Sequence, residues 1–203
     1  LEAIGFICHH CDDVIASQLQ NSVGKPINSL YDMGQWMGFP YENGFAEKEK
    51  QYLALEGQIV VEMADSIRYS PPNTNVVIDT TGSAIYMDKN SLCELKKSVL
   101  LVYLAITPNV HNQLLQEYSK QPRPLIWGNL FHKLPDETNE MALRSSYADL
   151  IAYREQMYEK CCDIKIAYDI HRRNDFSAAD FVEYIQNAAQ QNAHWAVEMC
   201  RYV

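Results

Sequence analysis

Residues 8 to 13 read Cys-His-His-Cys-Asp-Asp, six neighbouring side chains that can ligate a metal, carry a thiolate or move a proton. Cys8 and Cys11 have the C-x-x-C spacing of a zinc half-site or a dithiol redox pair, with His9 and His10 between them. A structural zinc site draws its tetrahedron from two separated ligand pairs, and no second pair of this kind is evident in the sequence. A redox pair needs thiols of lowered pKa, whereas Asp12 and Asp13 push a neighbouring thiol upward by like charge. The third reading is a turn between a strand and a helix, and it is the one favoured by the residues alone.

Other chemistry-bearing residues stand apart in the chain. Asp79 ends the apolar run Asn75-Val76-Val77-Ile78, where a carboxylate can ligate magnesium or act as a general base. In the simpler reading it bonds the Thr80-Thr81 turn that follows. Arg123 and Arg154 can form an anion pocket or surface ion pairs. Trp127 either stacks on a ligand or covers the core. His171-Arg172-Arg173 reads as a solvated run of charge.

The elements that must hold these residues follow from periodicity. Ile4 to Ile7 predicts a strand, and Ile15, Leu19 and Val23 predict a helix from Asp13 to Val23 with Asp12 or Asp13 capping it. Gly24-Lys25-Pro26 breaks the chain, and Ile27 starts a short extended piece. Tyr52, Leu55, Ile59, Met63 and Ile67 mark one face of a long helix over 46–69, ended by Pro71-Pro72-Asn73. Strands are expected at 75–79, 99–104 and 163–167. Helices are expected at 91–97, after the Thr107-Pro108 cap, at 137–160, and from Ser177 to about Cys200. Residues 120–136 contain three prolines and read as a loop. Strands alternating with helices predict an α/β fold with a mostly parallel sheet covered on both faces.

Composition bounds the partners. The 203 residues fit one domain, and 47% hydrophobic with 21% charged residues is ordinary for a globular chain. The net charge of -9 argues against nucleic acid and anionic membrane surfaces, both of which favour a basic face. No apolar run approaches the roughly 18 residues that span a bilayer. The opening residues do not have the order of a signal peptide. Six cysteines, two of them adjacent at 161 and 162, do not form a disulfide framework, so reduced thiols and a cytoplasmic location are expected.

Four stretches together resemble shikimate kinase and its relatives, small P-loop phosphotransferases. They are VVIDTTGSAIY (76–86), LLVYLAITPNVHNQLLQ (100–116), RPLIWGNLF (123–131) and YREQMYEKCCDIKI (153–166). The resemblance spans nearly the whole chain and implies a three-layer P-loop fold over 1–203, with a lid loop at about 120–136. On the family's phosphate loop, G-x-x-x-x-G-K-[ST], Gly5 matches the first glycine. His10, Cys11 and Asp12 then fall at the second glycine, the lysine and the hydroxyl, with Cys8 and His9 inside the loop. The family's Asp-x-Asp pair falls at Asn28 and Leu30, and its carboxylate-gripping arginine at Leu53 or Ala54. Its glycine turn becomes Thr81-Gly82-Ser83. Arg123 matches the lid arginine that reaches the transferring phosphate. Arg154 matches a second substrate-contacting arginine. His171-Arg172-Arg173 lies where the family's adenine loop sits.

These departures imply a catalytically degenerate protein with a binding or regulatory role, holding a small anionic ligand or a protein partner and no cofactor or metal. Thr81, Gly82 and Arg154 would be its binding residues. The alternative is an active small-molecule phosphotransferase using ATP and magnesium, with Asp79 as base and Arg123 on the phosphate. The second alternative is a metal-binding or redox protein built on Cys8 to Asp13.

Overall fold

The computed structural model describes residues 1–71 and 74–191. Pro72 and Asn73, and the stretch from 192 to Cys200 expected to continue the last helix, lie outside them. Strand β1 (Ile7–His10) leads into α1 (Cys11–Val23), followed by α2 (Leu30–Met37) and α3 (Phe45–Arg68). Then come β2 (Val76–Asp79), α4 (Lys89–Lys96), β3 (Val102–Leu104), α5 (Pro108–Lys120) and α6 (Asn139–Cys161). Strand β4 (Ile164–Ile166), α7 (Tyr168–His171) and α8 (Ala178–Gln191) complete the described chain.

The chain is α/β, and its strands pair in parallel. β1 runs beside β2 from Ile7–Val76 to His10–Asp79, and β3 beside β4 from Val102–Ile164 to Leu104–Ile166. Parallel neighbours need a crossover, supplied by α1 to α3 in the first pair and by α5 and α6 in the second. Among the described residues the strands form two separate pairs rather than the one sheet expected. The strand expected at 99–104 begins only at Val102. The N–H of Leu101 donates instead to the Asp163 side chain at 2.8 Å, while its carbonyl accepts from the N–H groups of Asp163 and Ile164.

Helix α1 buries Cys11, Ile15 and Leu19, spaced four apart, and packs on α3. It stops at Gly24, whose φ of +68° suits a residue without Cβ and whose N–H returns to the Gln20 carbonyl. Helix α3 buries Tyr52, Ile59, Val60 and Met63, with Glu56 in the middle of the same face.

Helix α2 stands where only an extended piece was expected. Its start is a Ser-x-x-Asp pattern: Ser29 Oγ accepts from Asp32 N at 3.1 Å, and Asp32 Oδ2 accepts from Asn28 N at 2.9 Å.

The proline-rich segment after α5 is fixed to the body of the protein. Trp127 is fully buried among Tyr118, Phe131 and Tyr147, so it fills the core. Burying a large apolar side chain contributes about 1.5–3 kcal/mol. Glu49 Oε1 accepts from the backbone N–H groups of Trp127 at 2.5 Å and Gly128 at 2.9 Å. Among the described residues no helix is long and apolar enough to cross a membrane.

Candidate functional site

In open parallel α/β folds, ligands bind beyond the carboxyl ends of the strands. His10 ends β1 and Asp79 ends β2 as register partners, with His10 Nδ1 3.4 Å from Asp79 Oδ2. The bond of Asp79 therefore goes to His10 and not to the Thr80-Thr81 turn. Both side chains are well exposed.

The opening cluster sits differently from its expected place. Gly5, at φ +89°, closes a short 3-10 turn over Glu2–Ile4. A left-handed residue cannot continue a strand, so β1 starts beyond it, three residues later than expected. Cys8 lies in the strand, and His9 and His10 are consequently strand residues too and not loop residues. His10 is the N-cap of α1, Cys11 is its first residue, and nothing intervenes. Asp12 and Asp13 lie in the first turn, but no side chain caps this end.

Cys8 is half-buried, and Cys11 is fully buried. The Cys11 thiol lies 3.6 Å from Met63 Sδ, and burial pushes its pKa up to about 12, aided by Glu56, Asp12 and Asp79. Zinc and thiol exchange both use the thiolate, which this setting opposes. Among the described residues, no three His, Cys, Asp or Glu side chains converge as an ion would require. Burial also raises the Asp12 pKa, and Asp79 and Asp13 raise it further, while Arg123 and His10 oppose them. This end of the strands thus gathers three carboxylates, one imidazole and the exposed Arg123.

The second half of the site is the turn after β2. Thr81 and Ser83 are buried, and both hydroxyls donate to the carboxylate of Glu56, Ser83 Oγ at 2.8 Å. Burial raises the Glu56 pKa, and the two hydroxyl donors hold it partly down. From the other side, Arg154 Nη2 and the Tyr158 hydroxyl both donate to the Gly82 carbonyl. Arg154 Nη2 also donates to Tyr158 Oη at 3.0 Å, and its guanidinium lies 5.9 Å from the centre of the Tyr158 ring. A Cβ at Gly82 would stand 2.4 Å from Arg154 Nη2, so the glycine makes room for this brace.

The structure brings Thr81, Gly82 and Arg154 together, and separately His10, Asp12, Asp79 and Arg123. Leu53 packs against the core, and Leu30 is exposed at the start of α2. His171 Nε2 lies 2.8 Å from the Ala105 carbonyl and Arg173 pairs with Asp175 at 3.3 Å, so the expected charge run is partly structural. Glu56 and Tyr158 were missed. Glu56 had a signal, a carboxylate in register with Tyr52, Ile59 and Met63 on a buried helix face.

No protein-family model matches the chain, and no match was found among curated proteins or solved structures.

Proposed function

We propose that this chain is a catalytically degenerate relative of the shikimate-kinase-like P-loop phosphotransferases, acting as a binding or regulatory protein for a small anionic ligand. A phosphate loop wraps backbone N–H groups round the phosphates and adds a lysine and a magnesium-binding hydroxyl. The observation that carries the proposal is the direct passage from His10 in β1 to Cys11 in α1, which leaves no room for such a loop. Asp12 and Asp13 in the first turn compete with a phosphate for the positive end of the helix. Arg154, by contrast, is held in place by neutral acceptors, Gly82 O and Tyr158 Oη, and forms no ion pair among the described residues. It keeps its charge for an anion.

Titration with ATP and magnesium tests the reading. Binding no tighter than millimolar, with no thermal stabilisation, is the expected result. A micromolar dissociation constant would overturn it in favour of an active phosphotransferase.

A further inference from the structure

A cavity of about 1080 Å³ lies between the two strand pairs. Consecutive residues Val76 to Asp79 and Leu100 to Leu104 line it, and side chains alternate across a strand, so β2 and β3 offer more to it than one face each. Helix α8 closes it with Phe181, Val182 and Ile185, and none of the residues of α8 is fully buried elsewhere. The volume is slightly above the roughly 300–1,000 Å³ usual for ligand pockets.

The two ends of the cavity differ. Toward the amino ends of β2 and β3 its walls are Ile67, Val99, Leu100, Cys161 and Cys162. Burial raises the pKa of both cysteines, so their thiols stay neutral. Toward the carboxyl ends stand His10, Asp79, Arg154, Glu155 and Tyr158. Each acid there has a basic neighbour: Asp79 has His10 at 3.4 Å, and Glu155 has His111 at 3.2 Å. Arg154 has neutral acceptors only. Arg154 can therefore meet an anion without first breaking an ion pair, while Asp79 and Glu155 keep its surroundings acidic.

We propose that this cavity binds an apolar-bodied monocarboxylate, its chain between the strand pairs and its carboxylate at Arg154. This rests on the binding reading above and names the ligand class. A planar guanidinium suits a carboxylate, and the brace from Gly82 and Tyr158 fixes its orientation in advance. A polyanion is disfavoured because Asp79 and Glu155 share the same end.

The test is calorimetric titration of the full chain with decanoate and with decanol, both below the concentration at which they aggregate. One equivalent of decanoate should bind, at least tenfold more tightly than decanol. Ile185→Trp, which fills the cavity from α8, should weaken decanoate at least tenfold. Arg154→Gln removes the charge, leaves the Tyr158 hydroxyl to donate to the Gly82 carbonyl and should abolish the preference for the acid. The decanol comparison needs no variant and stands even if Arg154→Gln fails to fold. Absence of saturable decanoate binding, equal affinity for both compounds, or unchanged affinity in Ile185→Trp would each overturn the proposal. If decanoate fails while ATP also fails to bind, the degenerate-kinase reading survives alone; tight ATP binding removes that reading whatever decanoate does.

Discussion

A Cβ placed on Gly34 would lie 2.1 Å from the carbonyl oxygen of Pro122, so helix α2 and the segment after α5 meet backbone to backbone. No side chain can yield at such a contact; one of the two elements has to move. With the carboxylate of Glu49 on the N–H groups of Trp127 and Gly128, this contact holds the segment that would serve as a lid in a kinase.

Gly34→Ala therefore sets two effects against each other. Alanine gains about 1 kcal/mol over glycine inside a helix, and overpacking against backbone costs about 1–3 kcal/mol. With backbone on both sides the clash should win, and urea unfolding should show a net loss of up to about 2 kcal/mol. A variant more stable than the parent would mean that the segment is free to shift.

Glu56 should make stability depend on pH. Its folded pKa is raised, chiefly by burial, so the native state holds a proton that the unfolded chain has released. Stability is then greatest below the ordinary carboxylate range and falls as pH rises through the interval up to the folded value. Glu56→Gln removes the charge, keeping an oxygen that accepts from one of the two hydroxyls and an N–H that donates to the other. It should be more stable than the parent at pH 7 and lose that advantage below pH 4. Parallel stability curves for the two proteins across this range would refute the assignment.

The first turn of α1 should repel anions. Replacing Asp12 and Asp13 by Asn removes two carboxylates from the helix start while keeping residues that tolerate it. Sulfate or phosphate affinity should rise severalfold in the double variant, read by calorimetry. Unchanged affinity would show that these carboxylates do not guard this end.

Cys11 should resist alkylation. Its thiol is fully buried and its pKa is pushed up to about 12, so almost no thiolate exists at pH 8. Iodoacetamide with mass mapping should leave Cys11 unmodified in the native protein and modify it in guanidinium. Rapid native labelling, or stoichiometric zinc lost on Cys11→Ser, would restore the metal and redox readings.

The long helices were legible because their signals are local. Repeats such as Tyr52, Ile59 and Met63 mark a face, and Thr107 followed by Pro108 marks a start. Helix α2 was also local: Ser29 and Asp32 mark its start and Met33 and Met37 fall four apart on its buried face, but it is one short helix with Gly34, a poor helix former, inside it. The strands were harder because their limits depend on partners far away. Which residues of 4–10 extend is settled by the Gly5 backbone and by pairing with Val76 to Asp79. The Arg154 brace on Gly82 joins residues 72 positions apart, so its residues could be singled out while their bonding could not.

That separation in sequence also orders folding in time. His10 and Asp79 are 69 positions apart, and Leu101 and Asp163 are 62 apart, so each strand pair closes a long loop before its hydrogen bonds can form. Helices packed in between shorten the free loop and lower the entropy cost of closing it. Helices α1 and α3 should acquire protected amides first, and the short strands should lock last. Pulse-labelled hydrogen exchange would show Ile59 and Val60 guarded before Val77 and Ile78. The ends of β1 and β2, where His10 and Asp79 meet, would thus be among the last parts of the molecule to take shape.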